Sequence, residues 1–147
     1  MSDENEFERF LERCVEGLEH QVSGSSGPFL EVWSQTDDVA ILGAIGSHAQ
    51  GWESVRSHLL GASQALDWTS LSVERLLTAV VEGLAVTVML EHMARDRPEP
   101  RKRTLRATQA YRRERGEWRL VHRHANLVTA EDEDNEAKVQ ASGSSQT

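Results

Sequence analysis

The spacing of apolar positions changes near the middle of the chain. Phe7, Phe10, Leu11, Cys14, Val15 and Leu18 recur at intervals of three and four residues with charged residues between them. This predicts an amphipathic helix of about four turns, capped by Ser2 or Asp3. After a small, polar loop over residues 23–27, Pro28 opens a second helix over residues 28–35, with Trp33 on the side of Phe29 and Leu30. Thr36, Asp37 and Asp38 stop it. A short strand over residues 39–45 follows, then a glycine-bracketed turn containing His48, then a third helix over residues 52–66 with Val55, Leu59, Leu60 and Leu66 inward.

From Trp68 onward the period becomes that of strands. Residues 68–78 alternate well enough for a long, bulged strand, Glu82-Gly83 makes a turn, and residues 84–93 (LAVTVMLEHM) make the next strand. A loop with two prolines over residues 96–103 leads into a hairpin over residues 104–128, turning at Glu114-Arg115-Gly116-Glu117. Helices gathered in the first half and antiparallel strands in the second predict an α+β fold, a single domain over residues 1–128. Strands of this length must curl. A curved antiparallel sheet with three helices on its open side forms a cone around a pocket. Residues 129–147, acidic and then small and polar, predict a disordered tail.

Composition narrows the function. No apolar run reaches the roughly 20 residues a membrane-spanning helix needs, and the acidic start shows no secretory signal. One cysteine excludes an internal disulfide and fits a cytoplasmic protein; Cys14 lies on the apolar stripe, as a core residue would. The net charge of −8 conceals eleven of the sixteen basic residues between Arg95 and Arg123. A nucleic-acid surface is not expected from them, because no aromatic residues are interleaved to stack bases.

The stretches WSQTDDVAILGAIGSHAQGWESVRSHL and LRATQAYRRERGEWRLVHRHAN resemble the SnoaL-like branch of the nuclear-transport-factor-2-like superfamily, over about residues 7–128. The resemblance implies the α+β cone, a homodimer through the sheet, and a pocket whose use differs among members: isomerase, cyclase, epoxide hydrolase or association module. It also locates missing groups. The steroid isomerases' base falls at Gly43 and their second acid near Thr108. The epoxide hydrolases' Arg-x-Asp would read Arg106-Ala107-Thr108, keeping the arginine and losing the acid. The pocket arginines of the calcium/calmodulin-dependent kinase association domain fall near Thr108 and Ala125.

Candidate site residues follow from alternation along the strands. Arg106 and Thr108 share one face of their strand. Trp118, Leu120, His122 and His124 form one set on the last strand, with Arg119, Val121, Arg123 and Ala125 opposite. By analogy with the isomerases Thr108, Val121 and Arg123 face the pocket, Arg106 either holds an anion there or pairs with Asp37 or Asp38, and Trp33 lines the mouth. His122 and His124 then face the dimer side, and a bulge after Trp118 would exchange the two sets. Two histidines at this spacing can chelate, but no third ligand stands out, so neither metal nor cofactor is expected. His20, His48, His58 and His92 read as surface or helix-end residues. The expectation is a domain binding a small apolar or carboxylate-bearing molecule, without the family's acid/base aspartates. The alternatives are an isomerase-, cyclase- or hydrolase-like enzyme using His122 or His124 as catalytic base, and a non-catalytic association module.

Overall fold

A computed structural model describes residues 3–145. Helix α1 spans Asp3–Val22, α2 Gly27–Leu30 and α3 Trp52–Ser63; the strands are β1 Ala40–Leu42, β2 His48–Gln50, β3 Ser70–Val81, β4 Leu84–Arg95, β5 Arg101–Glu114 and β6 Glu117–Leu127. They form one curved, unclosed sheet in the order β2-β1-β6-β5-β4-β3. The α+β expectation holds, with one change of direction. β1 runs parallel to β6, pairing Ile41 with Arg123, so the sheet is mixed and not purely antiparallel. The long connection between these strands is what allows a parallel pair.

Alternation sorts the long strands into an inner face and an outer face. The inner face of β4 carries Ala85, Thr87, Met89, Glu91 and Met93; that of β5 carries Leu105, Ala107, Gln109 and Tyr111, all of them buried. Helix α1 covers this face with Phe7, Phe10, Leu11, Cys14 and Leu18. Phe7 meets Tyr111 and Trp118 edge-on at centroid distances of 4.9 and 5.2 Å. Gly17 lets α2 settle against α1, since a Cβ there would stand 2.9 Å from the Phe29 Cα. Cys14 is buried among these side chains, and burial, slightly offset by Arg13, drives its thiol pKa upward.

Two bulges shape the sheet. One lies between Arg75 and Leu77, within the strand expected to be bulged. The other shifts β6 against β5, so that Ala110 pairs with His122 while Tyr111 pairs with Leu120, leaving Val121 as the extra residue. The β5–β6 turn has positive φ at both central residues, 51° at Arg115 and 80° at Gly116, the twist a two-residue hairpin favours.

Several local expectations are corrected. The second helix ends at Leu30, and Trp33 lies outside it in a bridge to Leu120, because the backbone of residues 32–34 pairs with β6. His48 belongs to β2, and α3 stops at Ser63. Residues 130–145, expected to be disordered, form helix α4. Glu131 and Asp134 near its start complement the helix dipole. Val139, its large apolar residue, is 71% exposed, so α4 is not held by burial of that side chain. Ser2, one of the two proposed caps of α1, lies outside the described residues, and Asp3 is already helical.

Candidate functional site

Helices α1, α2 and α3, strand β1 and one end of strands β4, β5 and β6 line a cavity of about 220 Å³. Leu18, Val22, Phe29, Ile41, Leu59, Trp68, Met93 and Ala125 make its wall chiefly apolar. Arg123 is the charged group in its depth, and Arg103, His58, Ser47 and the highly exposed Ile45 stand toward solvent.

Arg123 reaches this position because the extra residue at Val121 resets the alternation of β6. Trp118 and Leu120 are buried, Val121 and His122 are half-buried, and Arg123 and Ala125 are buried again. Arg123 therefore shares the inner face with Trp118 and Leu120, residues that strict alternation assigns to the opposite side. The side chain donates from Nη1 to Glu91 Oε2 at 2.7 Å and to Gln109 Oε1 at 2.9 Å, and from Nη2 to Glu91 Oε1 at 2.6 Å. β5 lies between these two strands, and its Ala107 leaves room above the sheet for the pair to meet. The bonds continue: Gln109 Nε2 donates to the Tyr111 hydroxyl at 2.6 Å, and that hydroxyl bonds Thr87 Oγ1 at 2.8 Å.

This chain of bonds sets the electrostatics of the cavity. Burial alone would lower the pKa of Arg123, but the charge and hydrogen bonds of Glu91 outweigh it and the net direction is upward. The pair is thus a closed, charge-compensated unit. Tyr111 is held protonated mainly by burial, its pKa pushed upward. Across the cavity, burial lowers the pKa of His58, favouring the neutral ring. His58 can stand there because position 43 is glycine: a Cβ at Gly43 would approach its Cε1 and Nε2 to 3.2 Å and the Ser47 hydroxyl to 2.9 Å. The place where the family resemblance expects an acid is bordered by an imidazole. Among the described residues no group of three His, Cys, Asp or Glu side chains is arranged to hold a metal ion.

The expected site residues divide. Arg123 lies in the cavity wall and is already bonded to Glu91. Arg106 and Thr108 do not face it. Both are exposed on the outer face, since Leu105, Ala107 and Gln109 take the inner positions. Trp33 is fully buried against Phe29 and contributes nothing to the cavity wall. His122 and His124 lie on the outer face, His122 with Nδ1 3.1 Å from the Ala40 carbonyl oxygen and His124 exposed, so neither can act as a base on a molecule in this cavity. The ion pair proposed for Arg106 with Asp37 or Asp38 is made by Arg112, whose Nη1 donates to Asp38 Oδ2 at 2.7 Å. That bond, with help from Thr36, holds the Asp38 carboxyl below the usual carboxylate range.

Glu91, Gln109 and Arg103 were not singled out from the sequence, and His58, read there as a surface residue, is half-buried in the cavity wall. For Glu91 a signal existed: counting by two from Ala85 through Thr87 and Met89 places it on the inward parity of an otherwise apolar strand.

The sequence matches the family described as SnoaL-like domain over residues 18–130. No curated protein matches it. Solved structures share the fold at low identity. A candidate calcium/calmodulin-dependent protein kinase type II association domain from Thiobacillus denitrificans superposes with a TM-score of 0.72 at 22% identity, covering 83% of this chain and 94% of the other. A Caulobacter vibrioides protein with a cystatin-like fold, itself uncharacterised, gives 0.67 at 15% identity, covering 92% and 96%. A nuclear-transport-factor-2-like protein of unknown function in nutrient uptake from Rhodospirillum rubrum gives 0.62 at 22%, covering 84% and 98%.

Proposed function

This chain belongs to the SnoaL-like domain family, and on that premise we propose that it binds a small, mostly apolar molecule in the cavity between its helices and sheet. The observation that carries this reading is the floor of the cavity: an apolar chamber ending in an arginine whose charge is already compensated by Glu91. A free arginine there would call for an anion. A compensated one offers only its remaining N–H donors, which suit a neutral carbonyl or hydroxyl oxygen on an apolar body. The positions matching the family's acid/base groups are Gly43 and Thr108, the second facing away from the cavity, so binding is favoured over catalysis. A buried lone thiol accords with a cytoplasmic location.

Titration with octanol by calorimetry tests the chamber. Heat of binding is expected with the native protein and none with Ala125→Phe, which fills the cavity. Equal heats from both proteins would end the proposal.

A second reading, association through the sheet, draws on the outer face. The register aligns Leu77, Val88, Thr108, His124 and Leu42 in one row, and Ala79, Val86, Ala110 and His122 in the next. Leu42, Leu77, Val81, Leu84 and Val86 are exposed. We propose a homodimer across these rows, the histidines within the interface. Sedimentation should give a dimer for the native chain and a monomer for Val86→Arg; a native monomer would exclude it.

A further inference from the structure

Charge on the inner face is compensated in depth and uncompensated at the rim. Arg95, Arg101 and Arg103 share the inner parity of the β4–β5 hairpin end. Among the described residues Asp67 is the one carboxylate bonded to any of them, and it takes Arg95, at 2.5 Å. Arg103 lines the cavity, and among the described residues no carboxylate is bonded to it. Its guanidinium carbon lies 5.7 Å from the centroid of the Trp68 ring, itself a buried part of the cavity wall, so the charge is held over the opening and not swept freely through solvent. Burial first, then the like charges of Arg101 and Arg95, lowers the pKa of Arg103. A guanidinium still keeps its proton under such conditions, so a counter-anion supplied by a ligand relieves both penalties.

We propose that the ligand is an aliphatic monocarboxylate, its chain in the apolar chamber and its carboxylate on Arg103 at the rim. The inference rests on the binding reading above and adds the class and direction of the ligand. The chain lies along Trp68, Leu66 and Met93, and the head meets the guanidinium fork. The reverse orientation would press a carboxylate against the Arg123–Glu91 pair, where Glu91 repels it.

Calorimetric titration of the full chain with octanoate and, separately, with octanol tests this. Octanoate should bind about tenfold more tightly than octanol, and Arg103→Gln should remove that margin. Added salt should weaken octanoate alone. Equal affinities in the native protein, or an octanoate affinity indifferent to Arg103→Gln, would overturn the assignment while leaving the chamber standing. Binding of neither molecule would remove the chamber reading itself. Binding to phosphatidylglycerol vesicles without binding of octanoate would assign the arginines to a lipid surface and overturn the proposal.

Discussion

On the inner face of β4, β5 and β6 polar side chains are bonded to one another in series, from Glu91 through Arg123, Gln109 and Tyr111 to Thr87. On the outer face of the same strands Thr108 and His124 stand side by side in a row that begins with Leu77 and Val88 and ends with Leu42. The inner groups are buried and largely satisfy one another, because an unpaired buried charge is far costlier than an exposed one. The outer groups are under no such demand. A dense run of polar residues is therefore a poor guide to a site. His122-Arg123-His124 supplies both faces at once, and only its arginine belongs to the cavity.

Breaking the inner series should have the largest effect. Arg123→Met leaves Glu91 buried without its partner and should cost about 3–5 kcal/mol in urea unfolding. Adding Glu91→Met should restore most of the loss; a single variant near native stability would show that the pair does not hold this face together. Next comes the contact opposite. Gly43→Leu must displace Ser47 or His58 and should cost about 1–3 kcal/mol, with loss of octanol binding as the second readout. Unaltered stability and binding would mean the ring is not confined as described.

The pH dependence should be smaller. Burial holds His58 neutral below its ordinary value of 6.5. The unfolded chain takes up that proton first as pH falls, so folding stability should decline below about pH 6.5, and His58→Asn should flatten this part of the profile. An unchanged slope would place the titration elsewhere. The outer face should give the least of all. Thr108→Asp should leave unfolding of the monomer within about 0.5 kcal/mol of native while weakening self-association in sedimentation. A large loss of stability would contradict its placement at the surface.

The sequence carried the element types well, because long amphipathic periods leave little choice. The change from helical to alternating spacing near Trp68 is where the sheet's long strands begin. Faces were harder. Arg106 and Thr108 were assigned inward by analogy, whereas Leu105, Ala107 and Gln109 between them are the buried set, the apolar pair fixing the choice. On β6 the same analogy set Arg123 inward, but the company it keeps with Trp118 and Leu120 was not legible, since that depends on one unpaired residue, Val121, which no local pattern marks. Glu91 shows a third limit. Its partner lies 32 residues away, and only the register of two intervening pairings brings them together. The short second helix failed for the same reason, its end being set by backbone bonds between Trp33's neighbours and Leu120.

The parallel pairing of β1 with β6 also imposes an order in time. Ala40 and the His122 beside it are separated by 82 positions, and β2 is the other neighbour β1 has in the sheet. On the ribosome, residues 40–50 have only their own ribbon and α3 to pack on until residues 117–127 emerge, and short two-stranded ribbons are marginal in water. Closing so wide a loop is slow compared with helix formation. Ile41 and Gly43 from the early segment and Arg123 and Ala125 from the late one share the cavity wall. The nascent chain therefore cannot complete this cavity, however finished its helices, until its last strand is made.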